Sequence, residues 1–176
     1  MGNIPKLSKL KTVVEVDQSG KFEDTTSDTV LAFSNGISQM ILIPKKIKRN
    51  AVSIMRKLGK KGNMFYLQLF SISLYLLLKD FVHKLTIITI DEEYVSKNKD
   101  IKRILLNLAN RDENSLESEN INFRRIGKKS NAHFVAINCL RGKSKPNKII
   151  KLQEILELIL TKSELKKIGG SLRRKT

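Results

Sequence analysis

The chain has 176 residues, which is enough for one domain with a sizeable core. It carries 34 Lys and Arg against 17 Asp and Glu, and this net charge of +17 favours a polyanionic partner, nucleic acid above all. A membrane surface or simple solubility would also account for the charge. The single cysteine, Cys139, excludes an intrachain disulfide and agrees with a reducing, cytoplasmic compartment.

The ends of the chain and its most apolar stretch give no membrane or secretion signal. Residues 1–11 are basic and lack the apolar region of a signal peptide, so we expect a basic N-terminal arm. The stretch 64–78 is too short to span a bilayer and contains Gln and Ser, which indicates a core helix and no membrane partner. One domain is predicted over 12–168, followed by a basic tail over 169–176.

The first third of the chain predicts three antiparallel strands. Residues 12–20 are rich in β-branched side chains and stop at Ser-Gly, and residues 29–36 close on Asn-Gly, a strong hairpin signal. Residues 38–44 form the third predicted strand, which Pro44 ends. The basic connection that follows, 45–63, is predicted to be partly helical.

The rest of the chain alternates between helical and strand patterns. The strand at 84–90 is apolar throughout, which predicts a central, parallel position covered by helices. The other predicted elements are helices over 63–81, 97–110, 131–142 and 146–169 and a strand over 121–127. A hairpin meander followed by this alternation predicts an α/β fold, a five-stranded mixed sheet flanked by helices.

Two aspartates end strands of the predicted sheet. Asp17 lies at the end of the first strand and Asp91 at the end of the fourth. If these strands are parallel neighbours, both carboxylates emerge at the same edge, where ligand sites of open α/β sheets lie. They would repel each other unless a cation or a proton lies between them, and Mg²⁺ or Mn²⁺ is the natural cation for oxygen ligands. Taken singly, each aspartate is equally typical of a turn or a helix cap.

The order of these motifs resembles the ribonuclease H-like superfamily, type 1 ribonuclease H in particular. The resemblance covers about residues 12 to 140. "VDQSG" supplies the strand-end Asp17, and "IDEEYV" supplies Asp91 with Tyr94 and Val95. Asn63 precedes the long apolar helix as in the family. The resemblance implies a ribonuclease H-like sheet and a nuclease that uses Mg²⁺ or Mn²⁺.

The chain departs from the family at two implied site positions. Gln68 falls near the position of a catalytic Glu, and His133 falls where the last metal-site Asp is expected. A final histidine also occurs in the slicer domain of Argonaute-type proteins, and a neutral imidazole can bind a metal. Glu15, on the same strand face as Asp17, is a candidate metal ligand in place of the missing acid. The other candidate replacements are Glu23, Glu92 and Glu93.

Basic segments flank the predicted site. "RKLGKKGN" precedes the core helix, and "RRIGKKSN" precedes His133. Lys and Arg beside glycine turns can bind phosphates, although such runs are also typical of a solvated face. The candidate nucleic-acid-binding residues are Lys57, Lys60, Lys61, Arg124, Arg125, Lys128 and Lys129.

Two functions are compatible with this pattern. The first is a metal-dependent nuclease that acts on RNA, RNA/DNA hybrid or structured DNA, with Asp17, Asp91, His133 and Gln68 as candidate catalytic residues. The second is a catalytically inactive ribonuclease H-like module that binds RNA within a ribonucleoprotein or the ribosome. The amide of Gln68 favours the second, because it is a weaker ligand than a carboxylate and cannot act as a base.

Overall fold

The structure, a computed structural model, describes residues 12–59, 64–114 and 116–172. The predicted arm, 1–11, lies outside these ranges, and so do Lys60, Lys61 and Asn63. The predicted tail is described as far as residue 172, where it continues the last helix.

The fold is α/β, with a six-stranded mixed sheet flanked by helices. The strands are β1 (Thr12–Ser19), β2 (Thr29–Asn35), β3 (Ile37–Ile43), β4 (Leu85–Asp91), β5 (Ile121–Arg124) and β6 (Lys148–Ile149). Their order in the sheet is β5-β4-β1-β2-β3-β6. The β1–β2 and β2–β3 pairs are antiparallel, whereas β4 is parallel to both β1 and β5, and β6 is parallel to β3.

Glycine turns bound the first hairpins. Gly20, directly after β1, has a φ of +79°, and a Cβ there would collide with the carbonyl oxygen of Asp28. Gly36 turns the chain between β2 and β3 with a φ of +78°. Glycine adopts such angles without strain because it has no Cβ atom. The two glycines therefore allow the backbone to make both turns that the sequence predicts.

Helices cover the two faces of the sheet unequally. They are α1 (Lys45–Lys57), α2 (Met64–Leu78), α3 (Asn98–Arg111), α4 (Asn131–Leu140), α5 (Leu152–Ile159) and α6 (Lys162–Leu172). The larger core joins α1, α2, α3 and α5 to one face of β1, β2 and β4. On the opposite face α4 packs through Ala136 and Cys139 on Val30 and Ala32 of β2.

The alternation of β1 directs its acids away from the larger core. Val14 and Val16 pack into that core, so Glu15 and Asp17 point to the face that α4 covers. In the larger core, twelve of the fifteen residues of α2 are buried. A helix that is buried on most sides has almost no polar face, as the sequence of α2 shows. Despite its apolar character, neither α2 nor any other helix of the described residues is long and apolar enough to cross a bilayer.

Strands β1 and β4 form a parallel pair, with Val14 opposite Ile88, which is the condition under which Asp17 and Asp91 emerge at the same edge. The prediction of five strands is wrong, because β6 adds a sixth at the edge beside β3. Asn147 secures this edge: its N–H donates to the carbonyl of Met40, and its side-chain oxygen accepts from the Met40 N–H at 2.8 Å.

The single last helix predicted over 146–169 is also wrong. The chain forms two helices separated by an extended Leu160, whose ψ is 148°. Thr161 and Glu164 then exchange hydrogen bonds, Thr161 N–H to Glu164 Oε2 at 2.8 Å and Glu164 N–H to Thr161 Oγ1 at 3.3 Å. This capping box starts α6 anew.

Candidate functional site

Three carboxylates meet where β1 and β4 end. The parallel pairing places Val16 opposite Ile90, so the next residues, Asp17 and Asp91, are level on adjacent strands. Glu93 follows two residues after Asp91, and its N–H donates to the Asp91 carbonyl at 3.0 Å. The three carboxylates each offer an oxygen, and these atoms all lie within 4.8 Å of one another. We call Asp17, Asp91 and Glu93 the acid cluster.

His133 contacts the acid cluster from the opposite helix. Ser130 caps α4 by accepting the N–H of His133 at 3.1 Å, which fixes the first turn of the helix. The His133 Nδ1 atom then lies 2.9 Å from Asp17 Oδ2. The histidine side chain is 27% exposed and that of Asp17 only 7%. This contact brings the first turn of α4 next to Asp17.

Asp91 is held by the loop that follows β5. Its Oδ1 atom accepts the backbone N–H of Ile126 at 2.7 Å. The chain turns at Gly127, with a φ of +82°, and then exposes Lys128 and Lys129 before α4 begins. The loop therefore connects Asp91, a basic segment and the start of α4, the helix that carries His133.

Burial and mutual repulsion raise two pKa values in the acid cluster. Desolvation, followed by the negative charges of Asp91 and Asp17, raises the pKa of Glu93 to about 7, and Lys21 opposes this only in part. Burial also raises the pKa of Asp17, although the hydrogen bond and charge of His133 act in the other direction. Such a group of acids binds a cation or a proton more readily than separate carboxylates would.

A cavity of about 250 Å³ opens beside Glu93. It is lined by Gln18, Lys21, Glu23, Glu93 and Tyr94, and we call it the acid-side cavity. The Oε1 atom of Gln18 is buried and has no hydrogen-bond partner among the described residues. Because one liquid water takes up about 30 Å³, the cavity has room for several waters or a small polar group.

The donor set of the acid cluster fits a hard divalent cation. All three donors are carboxylate oxygens, which Mg²⁺ and Mn²⁺ prefer over nitrogen or sulfur. Oxygens bound to one Mg²⁺ at ~2.1 Å lie at most about 4.2 Å apart, a separation close to the one found here. Asp17, Asp91 and Glu93 could therefore hold Mg²⁺ or Mn²⁺ with small side-chain movements.

The structure brings together three of the four candidate catalytic residues. Asp17, Asp91 and His133 lie in one site, and Glu93, named among the replacement acids, completes the acid cluster. Gln68 is half-buried in the second turn of α2 and makes no hydrogen bond to these acids among the described residues.

Two other candidate acids are engaged elsewhere. The carboxylate of Glu15 accepts a hydrogen bond from Arg124 Nη2 at 2.9 Å and is not part of the acid cluster. Glu92 accepts from the Asn98 side chain at 2.8 Å, which ties it to the start of α3. Glu23 lines the acid-side cavity with Glu93.

The predicted basic residues fall in two places. Lys57 ends α1, and its sequence neighbours Lys60 and Lys61 lie outside the described residues. The others are exposed at the end of β5 or in the loop before α4, and they are Arg124, Arg125, Lys128 and Lys129. Arg124 stands opposite Asp91 in the β4–β5 pair, so this second group borders the acid cluster.

Sequence reasoning missed three contributors to the site. The Ile126 N–H carries no side-chain signal, because any residue with a backbone amide could donate to Asp91. Ser130 was detectable, since a serine three residues before His133 is a typical helix N-cap. Gln18 follows Asp17 on the other strand face, and alternation alone could have placed it in the core.

The assignment of a function to this site depends on the chain's own residues. The acid cluster, the His133 contact and the basic loop are the features of the chain on which a functional proposal can be based. A scan of protein-family models gave no match, and searches of curated proteins and of solved structures gave no significant match.

Proposed function

We propose that the protein is a ribonuclease H-like nuclease that uses Mg²⁺ or Mn²⁺ to cleave RNA, RNA/DNA hybrid or structured DNA. The observation that carries the proposal is the acid cluster, whose carboxylate oxygens converge within 4.8 Å at the ends of two adjacent parallel strands. A bound cation would offset the repulsion between these carboxylates, and a net charge of +17 on the whole chain favours a polyanionic substrate.

The sheet supports the ribonuclease H-like assignment. The hairpin meander β1–β3, with β4 parallel beside β1 and β5 beyond it, agrees with the topology that the resemblance implies. Asp17 and Asp91 lie at strand ends and His133 lies in the first turn of a helix, and these are the residues for which the resemblance implies a role in the metal site. We further propose that the protein acts in the cytoplasm, where Cys139 would stay reduced.

Each residue group has a distinct role in this proposal. Asp17, Asp91 and Glu93 would hold the metal, which when bound activates water and polarises the phosphodiester. His133 orients Asp17 through its 2.9 Å contact. Glu93 supplies the third carboxylate that Gln68 does not. Exposed cations of the loop before α4, Lys128 and Lys129, would hold the phosphate backbone next to the acids.

A second candidate function is nucleic-acid binding without catalysis. Two observations favour it: Gln68 is neutral where the family has a glutamate, and His133 already gives Asp17 a partner. In this alternative the acid cluster would be retained without a metal, and the basic surface would bind RNA within a larger assembly.

Calorimetric titration with Mn²⁺ tests the first candidate. We expect the wild-type protein to bind Mn²⁺ and the Asp91→Asn variant to lose at least 100-fold in affinity, because a ligand carboxylate becomes a neutral amide. Asp100→Asn is the matched control, since Asp100 is an acid in the first turn of α3 and pairs with Arg103. Equal Mn²⁺ affinity in wild type and Asp91→Asn would contradict the proposal of a metal site at the acid cluster.

A cleavage assay separates the two candidates. Single-stranded RNA, RNA/DNA hybrid and branched DNA are incubated with Mg²⁺ or Mn²⁺ and with wild type, Asp17→Asn or Asp91→Asn. Cleavage of one substrate by wild type alone supports the nuclease. Tight binding to all three with no cleavage, and with affinity unchanged in both variants, supports the inactive module.

A further inference from the structure

A second cavity lies on α1. Its volume is about 450 Å³, and α1 lines it with Arg49, Ser53, Arg56 and Lys57. Thr25 of the β1–β2 loop and Tyr66 of α2 complete the polar lining. We call it the α1 cavity, and the proposed nuclease site does not include it.

Helical spacing gathers these cations on one face of α1. The spacing follows the helical period, since Ser53, Arg56 and Lys57 come four, seven and eight residues after Arg49. All four side chains therefore lie on one face of the helix. The other side of the helix enters the core through Ala51 and Met55, which are fully buried. The cationic face is thus fixed by the packing of α1.

The positive charge of the α1 cavity is unpaired within the part of the chain that the structure describes. Among the described residues, none of Arg49, Arg56 and Lys57 forms an ion pair with a carboxylate. The cavity lining itself contains no acid. Three like charges around one cavity repel each other, and an anion bound between them would remove that repulsion.

The remaining polar groups suit phosphate oxygens. The hydroxyls of Thr25, Ser53 and Tyr66 can each donate a hydrogen bond, and guanidinium groups match two phosphate oxygens at once. We propose that the α1 cavity binds a phosphate group in the backbone of a polynucleotide, at a place separate from the acid cluster.

The β1–β2 loop connects this cavity to the acids and favours a polynucleotide over a single phosphate. Thr25 lines the α1 cavity, whereas Lys21 and Glu23 of the same loop line the acid-side cavity. Thr25 and Glu23 are two residues apart, so their Cα atoms are at most about 7 Å apart. A polynucleotide carries a phosphate at every nucleotide and can occupy both cavities. This step rests on the proposed function, because it takes the acid cluster as the site of cleavage.

Binding of a fluorescein-labelled 20-nucleotide RNA in EDTA tests the inference. Without metal, neither cleavage nor metal binding at the acid cluster affects the result. We expect the double variant Arg49→Gln/Arg56→Gln to bind about tenfold more weakly. A plot of log affinity against log salt concentration should be less steep for the variant, by about 0.7 for each phosphate that it no longer binds.

Lys99→Gln/Arg103→Gln is the matched control. It also removes two positive charges, but from the surface of α3. Both residues are exposed there, and Arg103 pairs with Asp100. We expect its RNA affinity and salt slope to stay near wild type. Arg56→Lys keeps the charge but loses the planar donor pair, so it should keep the salt slope while weakening binding. Circular dichroism confirms that each variant is folded.

Inorganic phosphate provides the second arm. Its effect on the melting temperature is measured at constant ionic strength in wild type and in Arg49→Gln/Arg56→Gln. A double variant that binds RNA like the α3 control overturns the inference. If phosphate then still stabilises only the wild type, the cavity is a free-phosphate site and the polynucleotide assignment is wrong. The result is independent of Mn²⁺ titration, so failure of the nuclease proposal and failure of this inference can be told apart.

Discussion

Two regions of this molecule bury charge in opposite ways. Lys48 is fully buried, and its Nζ donates to three oxygens: Lys21 O at 2.9 Å, Asp24 O at 2.6 Å and Thr29 Oγ1 at 2.8 Å. Burial lowers the pKa of Lys48, and the charges of Asp24, Asp28 and Glu23 oppose that shift. Every donor of this ammonium group has a partner.

The acid cluster is supplied with far fewer partners. Asp91 accepts one backbone N–H and Asp17 contacts His133, but the side chain of Glu93 accepts no hydrogen bond from the described residues. Burial first, and then the negative charges of Asp91 and Asp17, raise the pKa of Glu93. A buried charge whose partners are all internal holds a fold together, whereas one surrounded by like charges requires a partner from outside. The difference is that Lys48 is fully paired inside the fold, whereas the acid cluster is paired only in part.

Lys48 nevertheless supports the site. It anchors the β1–β2 loop, which carries Lys21 and Glu23 into the acid-side cavity. Asp24 shapes the same loop by accepting hydrogen bonds from Thr26 and Ser27, and these bonds lower its pKa. Lys48 therefore fixes the backbone that carries part of the lining of the acid-side cavity.

The largest effect is expected from Lys48→Met. The variant leaves the loop carbonyls and the Thr29 hydroxyl without their donor, which should lower the free energy of unfolding by about 3 kcal/mol. Urea denaturation followed by circular dichroism measures it. Lys46→Met, at an exposed position of the same helix, is the control and should change stability by no more than about 0.5 kcal/mol. Equal stability of the two variants would break the contrast between the buried charges.

A smaller effect is expected from Glu93→Gln in EDTA. The pKa of Glu93 is about 7 in the folded chain against 4.5 for an unperturbed glutamate, so between these values the folded state holds the extra proton. Stability is then lost as the pH rises from 4.5 to 7, and the full cost is present at pH 8. The variant lacks this cost and should melt at a clearly higher temperature than wild type at about pH 8, with little difference at about pH 4.

The control for this pH dependence is Glu119→Gln, an exposed acid near β5. It should shift the melting temperature little at either pH. A Glu93→Gln variant that is less stable than wild type at about pH 8 would mean that the carboxylate is stabilised by its surroundings. The acid cluster would then resemble Lys48, and the need for an external cation would disappear.

Local signals were sufficient for most of the fold. Ser-Gly and Asn-Gly turns bounded the hairpins, and the apolar strand at 84–90 had to lie inside the sheet. Strand β6 was not predicted, because its two residues are held by backbone pairing and by Asn147, and neither contact produces a periodic pattern in the sequence. The break at Leu160 was not predicted, because the apolar period of α5 continues into α6 without interruption. The capping hydrogen bonds of Thr161 nevertheless start a new helix there.

The acid cluster was predictable to the extent that strand direction determines it. Asp17 and Asp91 follow from two parallel strands ending together. Choosing among Glu15, Glu23, Glu92 and Glu93 needed contacts that sequence spacing does not show. Glu15 pairs with an arginine 109 residues away, and the registers of β1 with β4 and of β4 with β5 together bring the two residues into contact.

The smallest effect is expected from Glu15→Gln, and it tests which carboxylates belong to the acid cluster. Glu15 lies on the same strand as Asp17, but its partner is Arg124, whose side chain is 65% exposed, so the ion pair contributes less than about 0.5 kcal/mol to stability. Mn²⁺ affinity measured by calorimetry should stay within about twofold of wild type, in contrast to Asp91→Asn. A loss as large as that of Asp91→Asn would mean that Glu15 leaves Arg124 to bind the metal. Glu15, rather than Glu93, would then be the third ligand, and the distance between these carboxylates in the metal-free chain would be a poor guide to the bound site.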